Sequence, residues 1–195
     1  VYDITVRVSD GTLFAEKAVA ITVADVNASS LSATATARWI DSTKTEAGNF
    51  YQLYNINGKT WLELYSLAKE ISLNGIQGHL ASIASLDELK FIDNNFLPLV
   101  PEVTYANIAV GASDESQEGR WVWLDGAEAG TLVNSALWSA TNPNNGGDSG
   151  SPGWGGPQNY AGIWTAGSGI KGYLDDVWST GSIGMVVEFD QYETA

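Results

Sequence analysis

Cysteine is absent from all 195 residues, which removes disulfides, thiolate catalysis and zinc-thiolate centres together. Basic residues are scarce, nine Lys and Arg against 23 Asp and Glu, for a formal net charge of -14. Such a field repels nucleic acid and anionic membrane surfaces and draws cations. No uninterrupted apolar run approaches membrane-spanning length, so membrane insertion is not expected. No signal-like stretch opens the chain, which starts on Val1 and reads as a piece of a longer multidomain protein. The hydrophobic fraction, 44%, suffices for one good core plus a fragment. An extracellular domain without disulfides often uses another cross-link, and divalent metal, calcium first, is the natural counter-charge. Solubility in a salty environment is the other reading of the acidity, and composition alone leaves both open.

Along the chain, Tyr2 to Val8 and Ala18 to Val23 alternate apolar with polar residues around the turn chemistry of Ser9-Asp10-Gly11. They predict two antiparallel strands, a hairpin too small to bury both faces alone. Ala28 to Ala37 turns to Ala, Ser and Thr and reads as a linker. Thr60 to Ser72 predicts a helix opened by the capping box Thr60-x-x-Glu63, with Trp61, Leu64, Tyr65, Ala68 and Ile71 on its buried face. Ser85 to Asn94 repeats the device with Ser85-x-x-Glu88 and the stripe Leu86, Leu89, Ile92 and Phe96. Beyond Pro101 come short apolar runs at 108–111, 121–124, 161–164 and 185–189, separated by Gly, Asn, Ser and Asp. Helices first, then strands and one long Gly-rich stretch over 141–159, predict an α+β fold.

The oxygen chemistry gathers in that stretch and just after it. Asn142, Asn144 and Gln158 offer amide oxygens, and Asp175 and Asp176 offer charge, the donor set of a hard cation such as calcium. Pro143 fixes the backbone between the two Asn, and a cis bond there turns both side chains to one side. Trp154 sits among the glycines, equally suited to packing on a sugar ring or to the protein interior. The other tryptophans singled out, Trp61, Trp121, Trp123 and Trp138, fall at core positions. His79, the single histidine, has no nearby second His and reads as a surface or core-edge residue rather than a metal ligand.

Several separated motifs, in order, resemble those of the C-type lectin-like family across about Gly48 to Asp190: GHLASIASLDELKFI, Ala109-Val110-Gly111, the WxWxDG run Trp121 to Gly126, Asn142-Pro143-Asn144, and Leu174-Asp175-Asp176. The resemblance implies two helices, short antiparallel sheets and a calcium loop over 38–195. It implies a primary calcium and sugar site of Asn142, Asn144, Gln158, Asp175 and Asp176, in which two vicinal hydroxyls displace water from the ion. It also implies an auxiliary calcium site from Asp114 and Glu118 with Asn145 and Asn159, an acidic solvated turn being the alternative. Asn142, Gln158 and Asp175 depart from the family's Glu, Glu and Asn. Two formal charges in place of three imply weak calcium binding, on the order of 10⁻⁴–10⁻³ M; Asp148 has the chemistry to restore one. Asn144 in the third place implies fucose, mannose or glucose ahead of galactose.

Residues 1–27 resemble the closing hairpin of cadherin-like or Ig-like repeats, and Asp25-Val26-Asn27 their calcium-binding linker, with a short polar turn as the plain alternative. The combination points to the lectin module of a secreted or cell-surface bacterial adhesin whose partners are glycans on a host or neighbouring cell. The alternatives are a protein-binding adhesion module with structural calcium, and an enzyme. The latter finds no support: the formylglycine-generating branch of the fold uses Cys, and paired carboxylates here lack the apolar setting of a glycosidase acid.

Overall fold

In the computed structural model the described residues are 2–9 and 14–21, as backbone, together with 31–40, 48–103, 106–145, 157–167 and 170–190. The chain divides into two compact units, Val1–Ser30 and Leu31–Ala195. In the first, β1 (Tyr2–Ser9) pairs antiparallel with β2 (Phe14–Ile21), Tyr2 opposite Ile21. The second strand therefore begins at Phe14, ahead of the Ala18 expected from alternation, because the pairing register extends to the turn. Asp25-Val26-Asn27 lies outside the described residues.

The second unit opens on β3 (Ala35–Arg38), which lies antiparallel along β4 (Phe50–Asn55). This corrects the expected linker over 28–37. Its last three residues form an edge strand, since the pairing is set by β4 and not by the Ala and Thr composition of β3. Next come α1 (Trp61–Ala68), β5 (Ser72–Leu73), β6 (Ile76–Gln77), β7 (His79–Leu80) and α2 (Leu86–Phe96). The remaining strands are β8 (Asn107–Ser113), β9 (Val122–Trp123), β10 (Tyr160–Trp164), β11 (Leu174–Val177) and β12 (Ser182–Phe189). The main sheet runs β11-β10-β8-β12-β4-β3, with β7 added to β12 and β9 to β8. Only the β8 and β12 pair is parallel among these neighbours.

The helix caps follow the sequence closely. Thr60 accepts from the amide of Glu63, and the Glu63 carboxylate returns to the Thr60 amide at 2.7 Å, completing the box. Ser85 likewise accepts from the Glu88 amide at 3.2 Å. The Glu88 carboxylate, however, turns inward, taking the Ala84 amide at 2.8 Å and the Tyr51 hydroxyl at 2.5 Å. The acid of this second capping motif is therefore buried.

Both helices pack their predicted stripes, Trp61, Leu64 and Ala68 and then Leu89, Ile92 and Phe96, into the sheet-backed interior, while Tyr65 is half-buried and Leu67 takes its place inside. Trp61 shows why its position tolerates nothing smaller. Its indole N–H is shared between the carbonyls of Val110 at 3.1 Å and Ala161 at 3.2 Å, and its ring stacks 4.7 Å from Tyr160. That one side chain ties α1 to β8 and to β10, the strand that follows the long loop.

Gly111 in β8 is required by close approach, since a Cβ there would stand 2.5 Å from the carbonyl oxygen of Leu80. Gly111→Ala should cost about 1–3 kcal/mol through this overlap. A urea unfolding midpoint unchanged from wild type would show that β7 and β8 separate without penalty.

Candidate functional site

The segment 142–145, which follows the 3₁₀ turn Ser135–Leu137, is held by two consecutive aspartates on β11. Alternation along β11 sends Asp175 and Asp176 to opposite faces, yet both are buried, and both carboxylates accept from the segment 142–145. Asp176 Oδ2 accepts the backbone amides of Asn144 at 3.0 Å and Asn145 at 2.5 Å. Asp175 Oδ1 accepts the Asn142 side-chain amide, which also donates to Ser139 Oγ at 2.8 Å. The Asn144 side-chain amide donates in turn to Asn142 Oδ1. The Asn142–Pro143 peptide bond is cis, and both asparagines join one hydrogen-bonded chain.

Asn145, in the left-handed region at φ +49°, extends the network in two directions. Its Oδ1 accepts from the Gln158 amide at 2.9 Å, and its Nδ2 donates to Glu118 at 3.1 Å. At the end of β8, the Asp114 amide donates to the Asn159 carbonyl at 3.2 Å, and Asp114 Oδ2 accepts from the Gly119 amide at 2.8 Å. The structure thus brings together Asn142, Asn144, Asn145, Asp175, Asp176 and Glu118 through side chains, and Gln158, Asn159 and Asp114 through the same backbone network. Trp154 and Asp148 lie outside the described residues. Sequence reasoning missed Ser139 and Trp164, both partners of this network. A serine three residues before Asn142 carries no distinguishing signal, and Trp164 reads as one more strand tryptophan.

Three oxygens decide what the arrangement can do. Asp114 Oδ1, Asp176 Oδ1 and Asn159 Oδ1 are buried and accept no hydrogen bond among the described residues. Asp114 and Asp176 are 2% and 1% exposed, so water does not compensate them at the surface. Burial pushes the Asp114 carboxyl above its ordinary value, against the Gly119 amide, and the Asp176 charge adds to the rise. Burial likewise lifts Asp175 to about 7, with the Asp176 charge adding and a Trp164 hydrogen bond opposing. Buried acceptors without donors, with the Asp176 charge felt at Asp114, fit a hard cation, which would supply the missing positive partner. By contrast, the donors on the Asn142 side satisfy one another.

Two helices and a mixed sheet form the C-type lectin fold. No protein-family model matches the chain. The α-N-acetylgalactosamine-specific lectin of Patiria pectinifera is 35% identical over 102 residues, which are 50% of this chain and 54% of that protein. The C-type lectin domain family 4 member F of Mus musculus is 29% identical over 99 residues, 50% of this chain and 16% of that protein. The chain therefore spans about half of the sea-star lectin's length and less of the mouse protein's. Among solved structures, the C-type lectin CEL-I of Cucumaria echinata superposes with a TM-score of 0.56 at 17% identity, over 75% of this chain and 94% of that one. Among the described residues no helix is long and apolar enough to cross a membrane.

Proposed function

We propose that the second unit is a calcium-dependent carbohydrate-binding domain, and that residues 1–27 belong to an Ig-like or cadherin-like repeat of the same secreted or surface-displayed adhesin. The trio of oxygens on Asp114, Asn159 and Asp176, buried and without a donor among the described residues, carries the calcium part of this reading. Asn142, Asn144, Gln158, Asp175 and Asp176 then present amide donors and carboxylate acceptors to a vicinal diol, the pairing that sugar hydroxyls require. Glu118 and Asn145 join Asp114 and Asn159 around a second ion. The role is binding, not catalysis.

For the sugar, Asn144 donates where an aspartate would accept, which favours fucose, mannose or glucose over galactose by about 1–2 kcal/mol, the worth of one such hydrogen bond. The name of the sea-star relative, an α-N-acetylgalactosamine-specific lectin, supports the opposite order. Competition binding at fixed calcium with fucose, mannose, glucose, galactose and N-acetylgalactosamine decides between them. Either galactose-type sugar coming first would overturn the mannose-type assignment while leaving the lectin reading intact.

A protein-binding module with purely structural calcium has one observation on its side. The Asn142, Asn144 and Asp175 side chains already hydrogen-bond one another, so a sugar must displace those contacts. Calcium should raise the melting temperature relative to chelator, by the mass-action stabilisation of a ligand that binds only the folded state. Superimposed melting curves would remove the metal from both readings. A calcium shift without binding to any glycan on an array would select the protein-binding module.

A further inference from the structure

Away from the loop elements, the single histidine, read from the sequence as a surface or core-edge residue, lies at the edge of the core beside two acids. His79 on β7 is 7% exposed and lies directly opposite Glu188 of β12 in the antiparallel register. Cross-strand partners share a face, and Asp190, two residues beyond Glu188, returns to that same side. One nitrogen of His79 and one carboxylate oxygen from each acid all lie within 4.8 Å of one another.

We propose that His79, Glu188 and Asp190 form a metal site separate from the calcium loop, built for a transition cation of tetrahedral preference such as Zn²⁺. The imidazole is oriented for it. Nδ1 stands 2.9 Å from the Leu80 carbonyl, which can only accept, so Nδ1 carries the hydrogen and Nε2 faces the acids. Nε2 is buried, and its partner among the described residues is Asp190 Oδ2, in a long ion-pair contact of 3.4 Å. A charge-assisted N–H···O bond would be about 2.7–2.9 Å long. Two ligands about 2.0–2.2 Å from a tetrahedral ion stand about 3.3–3.6 Å apart, the separation of His79 Nε2 and Asp190 Oδ2, while Glu188 lies within 4.8 Å of both.

The carboxylates are held from behind. Asn49 Nδ2 donates to Glu188 Oε1 at 2.6 Å and to Asp190 Oδ1 at 3.3 Å, and the Ser82 amide donates to Glu188 Oε2 at 2.9 Å. The Tyr51 hydroxyl also meets Glu188 Oε1 at 2.7 Å, so among the described residues Oε1 has two partners and Oε2, with the Ser82 amide alone, keeps a lone pair for a cation. Gly126 makes room for the imidazole itself: a Cβ there would sit 2.5 Å from Cε1 and 2.8 Å from Nε2. The Asp190 side chain, 16% exposed, gives the entry path, and water supplies a fourth ligand. An imidazole nitrogen with two carboxylates suits zinc rather than calcium, which takes six to eight oxygens. Without the metal, a proton occupies Nε2. With it, the cation clamps the end of β12 to β7 in a chain that has no disulfide.

The test is zinc titration of the metal-stripped whole chain against a chromogenic zinc chelator, with excess calcium present to fill the loop. One equivalent should bind. His79→Gln and Asp190→Asn should each weaken it by at least about 100-fold, the upper end of what losing only a supporting partner costs. Asp176→Asn should leave it unchanged. Circular dichroism checks each variant, and Asp190→Asn, at the rim, decides alone if His79→Gln does not fold. No zinc uptake by the folded wild type would overturn the site. So would uptake that survives both substitutions, or that is lost in Asp176→Asn instead.

Discussion

Asp176→Ala is expected to abolish calcium-dependent sugar binding while leaving the domain folded. Asp176 is the hub of the loop: one oxygen holds the Asn144 and Asn145 amides, and the other is buried without a donor among the described residues. Removing it deletes a ligand oxygen and frees the segment that presents Asn142 and Asn144. Loss of a supporting partner alone lowers metal affinity about 10–100-fold, so loss of this group should push calcium beyond millimolar reach. The fold should persist because its interior lies in Trp61, the stripes of α1 and α2 and the sheet, whereas the Asp176 carboxylate spends its hydrogen bonds on loop amides. The substitution also relieves repulsion, since the Asp176 charge helps raise both Asp114 and Asp175. The melting temperature in chelator should therefore change little, and the rise on adding calcium should disappear. A folded Asp176→Ala protein that binds sugar with wild-type affinity would move the site out of this loop.

How much of the molecule is legible in the chain varies with the range of the interactions. Caps and stripes are local, so Thr60, Glu63 and Ser85 announce both helices, and the tryptophans read as core are buried. The edge strand β3 is not local: Ala35 to Arg38 have linker composition, and only pairing with β4 makes them a strand. Glu88 misleads for a similar reason. Its spacing from Ser85 marks a capping acid, but Tyr51, 37 residues away, draws the carboxylate inside. In the loop, residue types point to oxygen chemistry and the family pattern to which residues share a site. Which amide meets which carboxylate, Asn142 with Asp175 or Asn145 with Glu118, depends on approach across some thirty positions and no motif encodes it. The two acids beside His79 lie at the far end of the chain, out of reach of any local pattern.

Stability of the metal-free protein should fall as pH rises from about 5 to 9, the reverse of ordinary acid unfolding. The cause lies behind β4, where the Tyr51 hydroxyl sits between Glu88 Oε1 at 2.5 Å and Glu188 Oε1 at 2.7 Å. A phenol has one proton and cannot donate to both, so one carboxyl must keep its own and donate to the phenol oxygen. Burial lifts Glu88 to about 7, and lifts Glu188 to about 8 with the Glu88 charge adding and His79 opposing. His79 rises to about 9: burial opposes its charge, but Asp190 and Glu188 outweigh that. Each acid is raised, so the native state holds protons that the unfolded chain releases near pH 4.5. That stabilisation is complete below about 4.5 and is lost as pH climbs through 7 and 8. The raised histidine acts in the same direction, its contribution complete below about 6.5 and lost through 9. Each tenfold change in proton affinity is worth about 1.4 kcal/mol, and the groups share one network, so the combined loss should be on the order of 5 kcal/mol. Thermal melts in chelator across this range measure it. Glu88→Gln, which cannot ionise and can still hydrogen-bond to Tyr51, should flatten the fall between pH 6 and 8. A melting temperature that holds steady or rises from pH 5 to 9 would mean that the carboxyl pair is not sharing a buried proton.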